Sequence, residues 1–153
     1  MKKFELTAEF VTNVFGEKLF RIKALVAFGN VEKGELGGFI EKEDNLSHDG
    51  NAWVYGDAQV SGNALVYGDA QVSGDAWVYG DADYATVKGF GRFFRATTFF
   101  RCKDKILRVQ CGCFYGDLEQ FREIVKKTHG DSKRAKEYLA IADLMELHFA
   151  EEE

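Results

Sequence analysis

The sequence predicts a mainly-β protein: a short coil of parallel strands, with a β cap before it and a small α+β module after it. Valine recurs at every sixth position from Val54 to Val78, and alanine recurs at every sixth position from Ala58 to Ala82. A Gly-Asp or Gly-Asn pair lies between each valine and the next alanine, which predicts a tight turn in every unit. After Ala85 the period stops and two amphipathic helical patterns follow. One repeat body with terminal modules suits a chain of 153 residues.

Residues 1–30 are predicted to form the N-terminal β cap. The stretch KLFRIKALVAF alternates Leu19, Arg21 and Lys23 with Phe20 and Ile22, which is a strand signature. Together with FELTAEF before it, this stretch predicts a hairpin. A coil of strands needs such a cap because its terminal strands have unpaired edges.

Residues 31–85 are predicted to form the repeat body. Because side chains alternate along a strand, each valine points inward and its two neighbours point outward. The first part, Val31–Ser47, carries Ile40 and Leu46 six residues apart, but the phase slips by two residues before Val54. This segment is therefore predicted to be an irregular first coil with a loop of about two extra residues. Outward apolar positions of this kind commonly mark a partner interface, and the candidates are Trp53, Tyr55, Leu65, Tyr67, Trp77 and Tyr79.

Residues 86–153 are predicted to form the C-terminal α+β module, a hairpin plus two helices. Two strand patterns flank the turn at Lys103–Lys105. The first helix is predicted to begin after Asp117, with Gln120 three places on as in a capping box, and to end at Gly130. The second helix is predicted to run from about Ser132 to His148.

Charge is distributed unevenly. The net charge is −5, yet residues 86–110 hold seven Lys/Arg against one Asp. The acidic total argues against unspecific binding of nucleic acid, while the basic band remains a candidate anion site. No apolar run reaches the roughly 18 residues of a membrane span, so we expect no membrane contact. The start has no apolar stretch of a secretory signal, and an odd count of three cysteines suits reduced thiols, so we expect a cytoplasmic protein.

The candidate ligand site is the stretch KGFGRFFRATTFFR within the basic band. Guanidinium groups bind phosphates with paired hydrogen bonds, and aromatic rings stack on bases. The alternative is that the phenylalanines pack against the coil end and the helices, while the arginines pair with the acidic body. The candidate ligand-binding residues are Arg92, Arg95, Arg101, Phe94 and Phe99.

Histidine and cysteine give weaker signals. His48 lies in the phase slip and is the only histidine near the repeats, so it is the sole candidate general base, although a solvated loop histidine is the simpler interpretation. Cys102, Cys111 and Cys113, with His129 as a fourth ligand, are the alternative to simple packed thiols. We expect no metal site and no cofactor.

Two stretches resemble a known group of proteins. These are FRIKALVAFGNVEKGELGGFIEKEDNLSHDGNAWVYGDAQV (Phe20–Val60) and the tail VQCGCFYGDLEQFREIVKKTHGDSKRAKEYLAIADL. They resemble bacterial and prophage hexapeptide-repeat proteins, described as polymer-forming or transferase-like. The resemblance implies a left-handed parallel β-helix in which three six-residue sides close one coil of eighteen residues. Hexapeptide acyltransferases of similar fold are usually trimeric and use a histidine base, and small phage proteins of this kind include antagonists of host defence.

Three functional hypotheses follow. The first is a non-enzymatic, phage- or prophage-encoded binding protein that captures a host protein or a small anionic ligand such as a nucleotide. It would form a homo-oligomer, with a trimer expected, because a core of five valines and five alanines is marginal alone. The second is a hexapeptide-type acyltransferase with His48 as base. The third is a self-assembling structural protein, against which the terminal caps argue.

Overall fold

The computed structural model describes residues 2–91 and 95–150, and it is mainly β with two C-terminal helices. Short 3-10 turns lie at Glu43–Asn45 and Asp81–Asp83. None of the helices in these two ranges is long and apolar enough to cross a membrane. The elements are β1 (Phe4–Thr12), β2 (Lys18–Ala24), β3 (Leu36–Ile40), β4 (Trp53–Val54), β5 (Gln59–Val60), β6 (Gln71–Val72), β7 (Trp77–Val78), β8 (Tyr84–Phe90), β9 (Arg95–Arg101), β10 (Leu107–Cys111), β11 (Phe114–Asp117), α1 (Leu118–His129) and α2 (Lys133–Phe149).

The predicted N-terminal hairpin is confirmed. Strands β1 and β2 pair antiparallel, and β2 continues antiparallel onto β3, the first strand of the repeat body. The hairpin thus covers an edge that would otherwise present unpaired backbone groups. Phe4 and Ile22 from the hairpin are fully buried in the same core as the repeat valines.

The repeat strands pair in parallel at a fixed sequence offset. Val54 pairs with Val72 and Val60 pairs with Val78, both 18 residues apart, which is the predicted coil length. Leu46 pairs with Val66 across 20 residues, so the predicted two-residue slip is confirmed. The inward residues are buried, as the alternation requires: Val54, Val60, Val66, Val72, Val78, Ala58, Ala64, Ala70 and Ala76.

The end of the period differs from the prediction. Ala82 has the spacing of the inward alanines, but it is exposed because the chain leaves the coil in the 3-10 turn at Asp81–Asp83. The repeat strands themselves are only two residues long, and the largest sheet, β1-β2-β3-β5-β7, combines antiparallel and parallel neighbours. The repeat body is therefore less regular than a uniform three-sided prism.

The C-terminal module has more strands than predicted. The expected hairpin exists as β9 and β10, but β8 and β11 extend it to a four-stranded antiparallel sheet in the order β11-β10-β9-β8. Strand β8 crosses the predicted boundary between residues 85 and 86. Alternate residues of β9 face opposite sides: Phe100 joins the repeat core, whereas Phe99 joins a second core under the helices.

Both helices begin and end close to the predicted positions. The Asp117 carboxylate accepts a hydrogen bond from the Gln120 backbone N–H at 2.8 Å, and the Gln120 side chain accepts one from the Asp117 N–H at 2.9 Å. This is the capping box that the sequence predicts. Gly130 follows α1 with a φ of 57°, a conformation that favours glycine. Ser132 caps α2.

Candidate anion-binding cavity

The arginines of the basic band do not converge on one site. Arg95 begins β9 and Arg101 ends it, so about 20 Å of extended chain separates them. Arg92 and Phe94 lie outside the described residues. Phe99 is fully buried and packs edge-on against Phe121 at 5.9 Å. The expectation that Phe99 stacks on a ligand is therefore wrong, because its strand face is the one that supports the helices.

Arg95 lies in a groove between the repeat body and the C-terminal sheet. The groove has a volume of about 690 Å³ and also contains Tyr55 and Lys88. The guanidinium of Arg95 packs against Gly112, where any Cβ would collide with it. Lys88 forms an ion pair with Asp69, Nζ to Oδ2, at 2.5 Å. Because this pair already satisfies the lysine, the groove concentrates little free positive charge.

Arg101 lies in a second cavity of about 490 Å³, which we call the Arg101 cavity. Three separate segments build it. The β1–β2 turn contributes Phe15, and β7 with the residue after it contributes outward side chains. The end of β9 and the turn after it supply the cations. Its chemically important residues are Arg101, Lys103, Lys105, Asp83, Phe15, Trp77 and Tyr79.

Backbone contacts dock the cationic turn onto the repeat body. Cys102 forms an antiparallel bridge with Ala76, and the Lys103 N–H donates to the Asp75 carbonyl at 2.9 Å. Lys105 takes a positive φ of 68°, which closes the turn. The lysines are thus held beside the coil by hydrogen bonds of their own backbone and not by chance packing.

The Arg101 cavity has more positive than negative charge. Arg101 Nε lies 3.2 Å from the Asp83 carboxylate, and its Nη2 donates to the Phe149 carbonyl at 3.2 Å. Asp104, between the two lysines, is bound instead by both Nη atoms of Arg108 at 2.8 and 2.9 Å. Hydrogen bonds from Arg108 lower the pKa of Asp104 to about 2.

The lysines keep their charge without a counter-ion. Among the residues the structure describes, neither Lys103 nor Lys105 forms an ion pair. The cavity therefore holds three cations against the single carboxylate of Asp83. Such a surplus of one sign in a concave site attracts anions.

An aromatic row forms the opposite side of the cavity. The Tyr79 ring lies 5.5 Å from the Phe15 ring and 5.6 Å from the Trp77 ring, and Lys103 Nζ lies 5.7 Å above Trp77. The Tyr79 hydroxyl is shielded from solvent and has no hydrogen-bond partner within the described part of the chain. Burial, with Asp83 and Glu17 nearby, raises the pKa of Tyr79, so this hydroxyl keeps its proton and is an unused donor.

Phe15 is exposed yet held in place. Its side chain is 66% exposed at the tip of the hairpin. The Asn13 side-chain oxygen accepts hydrogen bonds from the backbone N–H groups of Phe15 and Glu17, both at 3.0 Å, and these fix the turn. A large apolar ring kept in solvent on a rigid turn is typical of a contact surface.

The six predicted interface residues have different fates. Trp53 is fully buried, with Phe28 at 5.3 Å and Phe4 at 6.5 Å, so the chain's own N-terminal segment covers it and it is not at a surface. Tyr55 is half-buried in the Arg95 groove, and Trp77 and Tyr79 line the Arg101 cavity. Leu65 and Tyr67 remain open to solvent, at 39% and 60% exposure.

His48 is neither a free base nor a solvated loop residue. Its Nδ1 accepts a hydrogen bond from the Lys3 backbone N–H at 3.0 Å, and its Nε2 lies 2.9 Å from a Glu43 carboxylate oxygen. The ring stacks on Phe4 at 4.2 Å. Both nitrogens are thus engaged in joining the N-terminal strand to the first coil.

The three cysteines lie on two sides of the C-terminal sheet. Cys102 is buried in the repeat core, whereas Cys111 and Cys113 face the helical side with His129. The suggested four-ligand set therefore does not assemble. Across residues 2–91 and 95–150, no three His, Cys, Asp or Glu side chains are placed to hold a metal ion.

Sequence reasoning missed Phe15, Lys103 and Lys105 as site residues. The available signal was the Lys-Asp-Lys turn with Arg108 four residues after the aspartate, a spacing that can withdraw the carboxylate from the lysines. No local pattern indicates that residue 15 lies beside residue 79.

Comparison with known proteins identifies only the repeat. A family model described as the YdcK beta solenoid repeat matches residues 58–74. No curated protein matches the chain. The match covers a small part of the chain and bears on its repeat, not on a ligand.

Proposed function

We propose that the protein is a non-enzymatic binding protein that captures a small anionic ligand with a planar aromatic part, such as a nucleotide, in the Arg101 cavity. The observation that carries this proposal is the unpaired charge of Lys103 and Lys105 beside an aromatic row. Negative groups of the ligand would contact these lysines and the remaining N–H donors of Arg101. Its ring would pack on Phe15 or Trp77.

The unused Tyr79 hydroxyl supports the same assignment. Buried polar groups are almost always hydrogen-bonded, so a donor without a partner at the cavity wall calls for an acceptor from outside the chain. A polar ligand atom supplies one. The surrounding carboxylates of Asp83 and Glu17 would also limit how much negative charge the cavity accepts, which favours a ligand that is partly aromatic over a bare polyanion.

The finer description of the fold belongs to this proposal. We assign a left hand to the repeat coil, as in the hexapeptide proteins that the sequence resembles, together with an origin in a phage or prophage. In this picture the coil is a rigid support, and the hairpin and the β9–β10 turn form the binding surface on its side. The engagement of both His48 nitrogens argues against acyl transfer by that residue.

Ligand-induced thermal stabilisation tests the proposal. ATP, adenosine and inorganic pyrophosphate should be compared, because a ligand that binds only the folded state raises the melting temperature. We expect ATP to bind more tightly than either part alone. Reversing the free cations, Lys103→Glu with Lys105→Glu, should weaken ATP binding at least about tenfold, since two charge contacts are lost.

A matched control makes the same change of charge elsewhere. Lys126→Glu with Lys127→Glu alters two exposed lysines of α1 that do not line the cavity. This control should bind ATP like the wild type. Failure of all three compounds to stabilise the protein at about millimolar concentration, or ATP binding that survives the reversal at 103 and 105, would contradict the proposal.

A further inference from the structure

Helix α2 carries an apolar stripe on the side opposite its core. Leu144 is 55% exposed and Leu147 is 74% exposed, and Ala140 precedes them on the same side. The spacing i, i+4, i+7 aligns these three residues along the helix. The opposite side already packs in the second core through Tyr138, Ala142, Met145 and Phe149. The stripe is therefore additional to what the fold needs.

The charges on α2 are divided between its two ends. The first turn region carries Lys133, Arg134 and Lys136, whereas Asp143 and Glu146 lie in the second half. Arg122 of α1 contacts these two carboxylates at 2.9 and 3.3 Å, yet both remain largely exposed. Exposed pairs of this kind contribute little, so the carboxylates still present negative charge to solvent.

This pattern is complementary to itself under twofold symmetry. A twofold interface places the same patch of two copies face to face. If two α2 helices lie antiparallel, the basic start of each helix meets the acidic half of the other. The leucines of one stripe then meet the small Ala140 of the other, which lets the helices approach closely. A parallel pair would instead bring like charges together.

We infer that α2 pairs antiparallel with α2 of a second copy of this chain to form a dimer. The helix has 17 residues and is about 26 Å long, so a single helix pair lies below the roughly 1,200 Å² typical of stable complexes. We therefore expect a reversible dimer with a Kd on the order of micromolar. The interface is separate from the Arg101 cavity and does not depend on its function.

Sedimentation velocity of the full chain between about 1 and about 200 µM tests the dimer and its location. The wild type should shift from monomer to dimer across this range. Leu147→Lys should raise the Kd at least about tenfold, because it puts a charge at the centre of the contact. Leu65→Lys is the matched control, an exposed leucine on the repeat body, and it should associate like the wild type. Loss of association in the Leu65 variant with none in the Leu147 variant would overturn the inference.

A charge-swap experiment tests the antiparallel arrangement. Lys133→Glu with Lys136→Glu makes α2 acidic throughout, and Asp143→Lys with Glu146→Lys makes it basic throughout. Each variant alone should stay monomeric through repulsion, while an equimolar mixture should form a heterodimer, since both contacts are then complementary. Unchanged self-association of both variants, or a mixture that stays monomeric while both variants melt as folded proteins, would refute it.

Discussion

Replacing Tyr79 with phenylalanine should stabilise the ligand-free protein. The hydroxyl is buried without a hydrogen-bond partner among the described residues, and leaving a buried polar group unsatisfied costs about 1–3 kcal/mol. Phenylalanine keeps the ring contacts with Phe15 and Trp77 and removes only the oxygen. We expect the free energy of unfolding to rise by about 1 kcal/mol, which corresponds to about 2–4 °C in Tm for a chain of this size.

The same change should weaken the ligand. If the hydroxyl donates to a bound nucleotide, its loss removes a hydrogen bond worth about 0.5–1.5 kcal/mol, or a two- to tenfold rise in Kd. Stability and affinity then move in opposite directions. Urea denaturation gives the first quantity, and titration calorimetry with ATP gives the second.

Tyr84 supplies a control of opposite sign. Its hydroxyl donates to the Leu65 carbonyl at 2.5 Å, so Tyr84→Phe leaves that carbonyl without its partner and should lower stability by about 1 kcal/mol. If Tyr79→Phe lowers stability as much as Tyr84→Phe does, the Tyr79 hydroxyl is bonded within the protein. The case for an unused donor in the Arg101 cavity would then fail.

Three further predictions concern the fold. Burial lowers the pKa of Lys3 to about 8 from an ordinary 10.5, so the unfolded chain holds this proton at higher pH than the native one, and unfolding free energy should rise by about 2 kcal/mol between pH 7 and 10; identical urea-denaturation profiles for wild type and Lys3→Met would contradict this. Gly62→Ala should lower Tm more than Gly68→Ala, because both glycines have positive φ but only at Gly62 would a Cβ collide with the Tyr79 carbonyl; equal losses would refute the contact. Asp117→Ala removes the cap of α1 and should lower the free energy of unfolding by about 1 kcal/mol, whereas Asp117→Asn should retain most of it; an equal loss in both variants would exclude the capping explanation.

The sequence predicts the inward residues of the coil well because each one has a single constraint. Val60 must fill the interior, and its period alone reveals this. Outward residues answer to whatever covers them, and the cover comes from distant chain. Trp53 and Leu65 occupy equivalent positions in the repeat, yet Phe4 and Phe28 bury the first while the second stays exposed.

The site was only partly predictable for the same reason. Arg101 could be identified from the charge of the basic band, and Trp77 and Tyr79 from their outward positions. Their meeting with Phe15 depends on how the hairpin turn curls over the end of β7, which no sequence period encodes. Conversely, the strand alternation that makes Phe99 a support for the helices was readable, but it competed with the ligand interpretation of the same stretch.

The 18-residue offset between paired strands restricts how this chain can lengthen. An insertion of one six-residue unit would turn everything after it by one side of the coil and would carry Trp77 and the β9–β10 turn away from Phe15. An insertion of three units would restore the direction but would add a strand spacing of about 4.8 Å between hairpin and turn. Relatives with longer coils would therefore keep the same cross-section while holding a taller space, or none, where this chain places its lysines.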